Sequence, residues 1–427
     1  MLAGEQRFGI ADSATEPRFH VDVCDFDQRL MVRIILPQFG EFPDLDDMRR
    51  TFDSDRDLAM DIAAQQFNRV PLDESKYRGV KIGEVISLSG ADFSIDTIQG
   101  VRPVDTISRS ELVELDRFKK GVDLCYYKTE DSEEKMVVIK YPCFPLKGVE
   151  LFWNELNVML RLPQQSSDFL HVDRLIVDEN DPTRVVGFAT PYVPGADLGR
   201  NWQDRPFKIK WMRQLMRAVD DLNLQLGIVH QDLAGRNFLL NSGTDELVLC
   251  DFHLAKRYYD TRNPEMDDVK GLVLAVHDLI THDDRYFAKG LWELNEKELT
   301  SRFPEDWQKH DKVLLDEGLD VQDYYDELMA WANQRRSAGL GERPAKQIDW
   351  PEVRYATADP TLEKTRLQDM ECYMSETSRP SDYYELLKKR HAVTGHKMLE
   401  WARPAASELD VSRRLLVTGK YAEEDMA

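Results

Sequence analysis

Three oxygen-bearing side chains near the middle of the chain have the types and spacing of a cation site with a proton acceptor beside it. Asp232 and Asn237 lie five residues apart in the segment HQDLAGRN, and Asp251 follows fourteen residues after Asn237, directly behind the apolar run LVLC. A loop, a short strand and a second loop would bring the three side chains to one point. Mg²⁺ prefers carboxylate and amide oxygens together with substrate phosphate oxygens, and a carboxylate near a hydroxyl group can accept its proton. The pattern predicts a magnesium site with a general base beside it.

Helices and strands predicted around this segment would hold it in place. Residues 206–227 have apolar side chains at helical spacing, which predicts a helix with one face on a core. Residues 268–281 are apolar on most sides and predict a buried helix. Upstream lie the strand-like segments ELVELDRF, GVDLCYYK and MVVIKYP, a helix over 149–162, and strands around LIVDE and VVGFATPYV. The charged segment 305–336 predicts a pair of helices.

The same segment carries a family resemblance. HQDLAGRNFLL followed by LCDFHLAKR resembles the catalytic loop and the metal-binding Asp-Phe-Gly segment of the eukaryotic protein kinases. On this resemblance, His230, Asp232 and Asn237 match the catalytic-loop histidine, the catalytic base and the metal-ligand asparagine, and Asp251 matches the aspartate that holds Mg²⁺. The resemblance implies an α+β, two-lobed kinase-like fold, with a small β-rich N-lobe and a larger helical C-lobe. It also implies ATP and Mg²⁺ as cofactors.

The resemblance extends upstream to groups that would bind the nucleotide. VVIKYP resembles the third strand of a kinase N-lobe, so Lys140 would contact the α- and β-phosphates. Glu155 in the following helix is the best match for the glutamate that holds this lysine, with Glu150 as an alternative. In ELDRFKKGVDL, Gly121 occupies the loop that would cover the nucleotide. In the downstream helix, Asp268 resembles the aspartate that braces the catalytic loop, and a buried carboxylate there requires backbone N–H partners.

The segment GFATPYVPGADL resembles the connection between the two kinase lobes. On this resemblance Thr190 borders the adenine pocket, and the backbone of Pro191, Tyr192 and Val193 faces the adenine edge. Proline has no N–H donor, but its carbonyl can accept a hydrogen bond from the adenine amine. An ordinary strand that ends in a Pro-Gly turn would have the same sequence features.

Four features depart from the kinase pattern. Gly121 stands where three glycines are expected, His253 replaces the glycine after Asp251 and Phe252, and Gln231 replaces an arginine. Only seventeen residues separate Asp251 from Asp268, and the connection has no Ala-Pro-Glu sequence. In protein kinases a longer segment forms the platform for a peptide substrate, so a small hydroxylated compound is an alternative acceptor.

Three hypotheses about function follow. In the leading one the chain is an ATP-dependent phosphotransferase that transfers the γ-phosphoryl group of MgATP to a hydroxyl of a protein or small molecule. Asp232 is the base, Asn237 and Asp251 hold Mg²⁺, and Lys140 paired with Glu155 steadies the phosphates. The alternative is a catalytically weak or inactive pseudokinase that binds nucleotide or acts as a scaffold. In the third, the region before residue 111 is the functional domain.

Composition limits the location and the partners of the chain. The 427 residues carry a net charge of −22, which repels nucleic acid and anionic membranes. The five cysteines form no CxxC pair, and residues 1–10 do not form a signal peptide. We therefore expect an intracellular protein, cytoplasmic or nuclear and not secreted, with no nucleic-acid or membrane partner. The predicted domains are an N-terminal extension with strands and a helix (1–110), a kinase-like N-lobe (111–193), and a helical C-lobe with a C-terminal helical extension (194–427).

Overall fold

The structure is a computed structural model that describes most of the central part of the chain and selected terminal segments. The described residues are 8–14, 20–25, 28–35, 58–60, 62–64, 81–87, 93–95, 98, 102–142, 149–199, 205–257, 267–283, 301, 303–337, 402–404 and 408–423. They form a mixed α+β fold. No helix among them is both long enough and apolar enough to cross a lipid bilayer.

The chain divides into two compact units. The first unit comprises residues 1–150, 173–190 and 354–427, and the second comprises 151–172 and 191–353. Both terminal regions therefore belong to the first unit. The domain boundaries expected from the sequence, after residues 110 and 193, stay a prediction.

The first unit contains a four-stranded antiparallel sheet near the N-terminus. Its strands follow the order β1-β2-β3-β4. Their bounds are Phe8–Ala14 (β1), His20–Asp25 (β2), Leu30–Ile35 (β3) and Lys81–Ser87 (β4). The segments FHVDVCDF (19–26) and RLMVRIILP (29–37) are rich in Val, Ile and Phe, which predicts two strands, and the structure confirms them as β2 and β3. The segment 44–70, which has an acidic start, predicts a helix. Within it the structure describes 58–60 and 62–64, which are helical, and the rest lies outside the described residues.

A second, seven-stranded sheet forms the main layer of the first unit. Its order is β6-β10-β11-β9-β8-β7, with β5 paired to β11. The β5–β11, β10–β11, β7–β8 and β8–β9 pairs are antiparallel, and the β6–β10 pair is parallel. The bounds are Phe93–Ser94 (β5), Thr106–Ser108 (β6), Val113–Lys119 (β7), Val122–Lys128 (β8), Glu134–Lys140 (β9), Arg174–Asp178 (β10) and Asp181–Pro191 (β11). A 3-10 turn, Arg109–Glu111, follows β6. The strands predicted from alternating apolar residues in this region are confirmed.

The core of this sheet includes a residue from the C-terminal region. The buried side chains are Ile107, Leu112, Cys125, Tyr127, Val137, Ile139, Tyr141, Ile176, Val186, Ala189 and Val417. Burying apolar side chains of this kind stabilises a fold by about 25 cal/mol per Å² removed from water. Val417 therefore ties a distant segment to the sheet.

In the residues that the structure describes, the second unit is mainly helical and has three short strand pairs. The described α-helices are Val149–Met159 (α1), Ile209–Asp220 (α2), Asp268–Thr281 (α3) and Val321–Ser337 (α4). The strand pairs are Arg205–Pro206 (β12) with Val313–Leu314 (β17), Ile228–Val229 (β13) with Lys256–Arg257 (β16), and Phe238–Asn241 (β14) with Glu246–Leu249 (β15). The helices predicted over 149–162, 206–227 and 268–281 are confirmed. A π-helical turn, Asp221–Leu226, extends α2.

The prediction of a helix pair over 305–336 is wrong for the first helix and confirmed for the second. Only the second helix forms, as α4, and residues 303–320 contain turns and the strand β17. The His310 N–H donates to the Ile280 carbonyl at the end of α3, and Trp307 is buried against the His277 ring. Packing against α3 thus overrides the local helical preference of this segment.

Candidate active site

A buried carboxylate fixes the backbone at the start of the predicted catalytic loop. Asp268, in the first turn of α3, accepts hydrogen bonds at Oδ2 from the His230 N–H (2.7 Å) and from Asn223 Nδ2 (2.8 Å). Its Oδ1 accepts from the Gln231 N–H at 2.9 Å. Burial raises the pKa of this carboxyl, and the N–H donors oppose that rise. The expectation that Asp268 is tolerated through backbone N–H partners is confirmed, and Gln231 is held at a φ of 65°.

His230 links the loop to the strand that precedes Asp251. Its ring is fully buried, and Nδ1 accepts a hydrogen bond from the Asp232 N–H at 3.2 Å. Nε2 therefore carries the proton and donates to the Cys250 carbonyl at 3.0 Å. The ring centroid lies 5.0 Å from that of Phe252, which is also fully buried. The histidine thus holds the backbone on both sides of the site.

Asp232 and Asn237 are bonded directly to one another. Asn237 ends a 3-10 turn, Gly235–Asn237, and its Nδ2 donates to the Asp232 carbonyl at 2.7 Å and to Asp232 Oδ2 at 2.9 Å. Both side chains are buried. Both bonds are made by Nδ2, so the amide oxygen Oδ1 points away from Asp232. There it can bind a cation.

The β14–β15 hairpin brings Asp251 beside this pair. Phe238 is paired with Leu249, and the Cys250 N–H donates to the Asn237 carbonyl at 3.0 Å. Asn237 therefore lies opposite Cys250, and Asp251 is the next residue. The loop, strand and second loop expected from the sequence are all present in this part of the chain.

His253 interacts with the predicted metal ligand. Its Nδ1 donates to Asp251 Oδ1 at 2.8 Å, and Asp251 adopts a left-handed conformation with a φ of 68°. This hydrogen bond raises the pKa of His253, as do the nearby charges of Glu155 and Asp232, while partial burial lowers it. His253 therefore occupies one of the two carboxylate oxygens of Asp251.

Two further contacts at the site were not expected from the sequence. Arg236 forms an ion pair through Nη2 with Asp232 Oδ1, and its side chain is 58% exposed. Asn154, on α1, donates from Nδ2 to the carbonyls of His253 (2.9 Å) and Ala255 (2.7 Å). The first contact joins residues only four positions apart, so the sequence could have suggested it. The second joins residues about a hundred positions apart and had no local signal.

Three predicted nucleotide-binding residues lie in the first unit. Gly121 lies in the turn between β7 and β8 with a φ of 71°, a conformation that favours glycine. Lys140 ends β9 opposite Val122. Thr190 is buried in β11 and donates from Oγ1 to the Val138 carbonyl at 3.3 Å, so its hydroxyl contacts β9.

The remaining predicted residues lie in the second unit. Glu155 is buried on α1, Pro191 is the last residue of β11, and Tyr192 and Val193 follow it. Because Lys140 and Glu155 belong to different units, their pairing stays a prediction. The roles of residues 190–193 in adenine binding also stay predictions.

The donor set fits a hard cation. No group of three His, Cys, Asp or Glu side chains among the described residues has the arrangement of a metal site. Asn237 Oδ1 and the Asp251 carboxylate are nevertheless the kind of oxygen donors that bind Mg²⁺ together with phosphate. A base, an amide oxygen and a carboxylate thus lie at one end of a hairpin. No protein-family model matches the chain, and no curated protein matches it.

Proposed function

We propose that the chain is an ATP-dependent phosphotransferase with a protein kinase-like, two-lobed fold. One observation carries the proposal: the hydrogen bonds of Asn237 and the β14–β15 register bring Asp232, Asn237 and Asp251 together. In this proposal the first unit contains the small β-rich lobe and the second unit is the helical lobe. The spacing of the three residues in the sequence supports the same proposal.

The chemistry assigns one task to each side chain. Asp232 accepts the proton of the acceptor hydroxyl as that oxygen bonds to the γ-phosphorus, while the bond from the γ-phosphorus to the bridging oxygen breaks and releases ADP. Asn237 and Asp251 supply oxygen ligands. Bound Mg²⁺ would neutralise the charge on the phosphate oxygens. Lys140 contacts the α- and β-phosphates in this proposal, and Glu155 holds its ammonium group.

Arg236 gives Asp232 a defined orientation. Its ion pair occupies Oδ1, and Asn237 occupies Oδ2, so the carboxylate is held from two sides. Because the arginine is more than half exposed, its guanidinium can also attract a phosphorylated substrate. Asp268 follows only seventeen positions after Asp251, and so short a connection favours a small hydroxylated compound as the acceptor over a long peptide.

Two measurements test the proposal. ATP should raise the melting temperature of the purified chain more with Mg²⁺ than without it, because a ligand that binds the native state stabilises it. With γ-labelled ATP and cell extract, label should enter the small-molecule or the protein fraction. Asp232→Asn should lower that transfer by about 10²–10⁴-fold. The matched control is Asp326→Asn, an exposed carboxylate on α4, which should transfer at the wild-type rate. Equal transfer by the wild type and Asp232→Asn would reject the assigned base.

A second candidate is a pseudokinase that binds nucleotide without turnover. The hydrogen bond from His253 to Asp251 favours it, because it uses an oxygen that a metal ligand would need. This candidate predicts a thermal shift with ATP that does not depend on Mg²⁺, and no label transfer. His253→Gly would then restore a Mg²⁺-dependent shift.

A further inference from the structure

Six polar side chains form a buried cluster in the first unit. We call it the buried charge cluster, and its members are Arg29, Glu114, Arg117, Asp123, Tyr141 and Arg403. Every one of them is at most 9% exposed. They come from the N-terminal sheet, from β7 and β8, from the residue after β9, and from the C-terminal region. The cluster therefore joins segments that are far apart in sequence.

Arg29 is the central cation of this cluster. Its Nη2 lies 2.5 Å from Asp123 Oδ2 and 3.2 Å from Glu114 Oε2. Its Nη1 donates to the Val417 carbonyl at 2.9 Å. Arg29 lies in the turn between β2 and β3, where its backbone is left-handed with a φ of 58°. Its side chain reaches the second sheet. One arginine thus contacts both hairpin strands and the C-terminal segment.

Arg403 brings the C-terminal segment to the same carboxylates. Its side-chain Nε forms an ion pair with Glu114 Oε1 at 2.6 Å, and its backbone N–H donates to the Gln28 carbonyl at 2.9 Å. Residues 415–417 then run along the edge of β7. The Glu114 N–H donates to the Leu415 carbonyl at 2.8 Å, and the Val417 N–H donates to the Leu112 carbonyl at 2.9 Å. The segment adds a short stretch of strand to the sheet.

Tyr141 connects the cluster to Lys140. Its hydroxyl donates to Asp123 Oδ2 at 3.0 Å and accepts from Arg117 Nη2 at 2.9 Å. The Arg29 guanidinium lies 5.1 Å from the centre of its ring, a distance typical of a cation–π contact. The Tyr141 N–H donates to the Gly121 carbonyl at 3.0 Å, in the β7–β8 turn. The cluster therefore fixes both the turn and the end of β9.

Stability alone is a weak reason for burying so many charged groups. Burial of an ion pair costs desolvation energy that the attraction between the charges often only balances, so apolar residues would stabilise the unit equally well. Buried ionic groups hold a defined geometry through directional bonds, and a defined geometry is useful where a binding group must be placed accurately.

We propose that residues 28–29, 402–404 and 415–417 are part of the nucleotide-binding element, with Arg29 and Arg403 as positioning residues for the β7–β8 turn and for Lys140. The inference rests on the proposed function, because it assigns the site that these segments serve. It also gives a role to the two regions outside the predicted kinase-like lobes.

The test compares two conservative changes on the C-terminal segment. Arg403→Met removes the ion pair with Glu114 and keeps most of the side-chain volume. In the double variant, Glu114→Gln on β7 accompanies Arg403→Met and removes the negative charge that Arg403 neutralised, so that Arg29 is the only arginine left beside this side chain among the pairs described for it. Arg413→Met is the matched control, since Arg413 is exposed in the same segment, and its side chain lies over the Tyr421 ring and near Asp410, outside the buried charge cluster.

Two readouts separate this inference from the proposed function. Amide hydrogen exchange of residues 113–128 and 141, without nucleotide, reports whether the cluster holds the hairpin. The affinity for MgATP, and whether a variant changes KM more than kcat, show whether Lys140 and the β7–β8 turn are correctly placed. We expect faster exchange in both cluster variants, with KM for ATP raised about tenfold or more and kcat changed less, since a displacement of about 1 Å can cost up to about 100-fold.

The outcomes are distinct. Unchanged exchange in the cluster variants would overturn the role of the cluster whether or not the protein binds ATP. Faster exchange with an unchanged KM would leave the cluster purely structural and overturn the positioning role. Wild-type protein that binds no MgATP would overturn the proposed function, and this inference with it. A raised KM in Arg403→Met but not in Arg413→Met supports the proposal.

Discussion

Replacing Asp268 by asparagine should destabilise the candidate site in a way that can be calculated from its hydrogen bonds. The carboxylate accepts three bonds: two at Oδ2, from the His230 N–H and Asn223 Nδ2, and one at Oδ1, from the Gln231 N–H. An asparagine has a single carbonyl oxygen. If that oxygen keeps the two bonds at the Oδ2 position, the amide NH₂ must face the Gln231 N–H.

The magnitude follows from this unmatched donor. A buried donor without an acceptor costs about 1–3 kcal/mol. The neutral acceptor weakens the two remaining bonds, but the amide also avoids the desolvation that raises the pKa of Asp268. We take these two effects as cancelling, so Asp268→Asn should lower the free energy of unfolding by about 1–3 kcal/mol. Asp268→Leu would leave all three donors unmatched, at a cost of about 3–9 kcal/mol, which approaches the stability of a whole domain.

The assay is thermal and urea unfolding, with amide hydrogen exchange at Gln231. We expect Tm to fall by roughly 2–4 °C per kcal/mol and the Gln231 amide to lose protection. The matched control is Asp267→Asn. Asp267 caps α3 by accepting from the Lys270 N–H at 2.9 Å, and asparagine caps a helix as well as aspartate does, so the loss should be under about 1 kcal/mol. If both variants are equally stable and Gln231 stays protected, the bracing role of Asp268 is wrong.

Three other changes should have measurable effects. Burial and the charge of Asp283 raise the pKa of Asp278 to about 6, so folding stability falls as the pH rises from 3.8 to about 6. Asp278→Asn should therefore raise Tm at pH 7 by more than at pH 4, and equal shifts at both pH values would contradict this. A methyl group at Gly187 would lie 2.7 Å from the Lys140 carbonyl oxygen, so Gly187→Ala should cost about 1–3 kcal/mol in urea unfolding. Gly271→Ala, in α3, meets only ordinary contacts at 3.4 Å and should be neutral or stabilising; if the two alanine variants behave alike, the steric argument fails. Asn154→Leu removes two hydrogen bonds to the segment after Asp251 and should speed amide exchange at Ala255, whereas unchanged exchange would show that α1 does not hold this segment.

Local patterns were enough to predict the elements around the candidate site. Strand-like segments predicted β7, β8 and β9. Helical spacing predicted α2, and a segment apolar on most sides predicted α3, because α2 buries one face and α3 most of its surface. The short distance from Asn237 to Asp251 is spanned by a single hairpin, so proximity in space followed from proximity in sequence.

Features that depend on distant partners were not predictable. The segment 305–320 has a helical composition, but its contacts with α3 and β12 decide its conformation. The hydrogen bond from His253 to Asp251 forms where the backbone of Asp251 is left-handed, and the residue types in this segment do not predict that conformation. The buried charge cluster joins positions 29, 123 and 403, and a charged residue in a strand is ordinarily expected to face water.

The contact between Arg29 and Val417 also has a consequence for biosynthesis. The two residues are separated by 388 positions. Ribosomes add about 5–20 residues per second, so about 20–80 s pass between the synthesis of the two partners. During that interval Glu114 lacks its ion pair with Arg403, and the β7 edge lacks its hydrogen bonds to residues 415–417. We expect the nascent chain to need protection from strand-to-strand association at the β7 edge until residues 402–417 emerge from the ribosome.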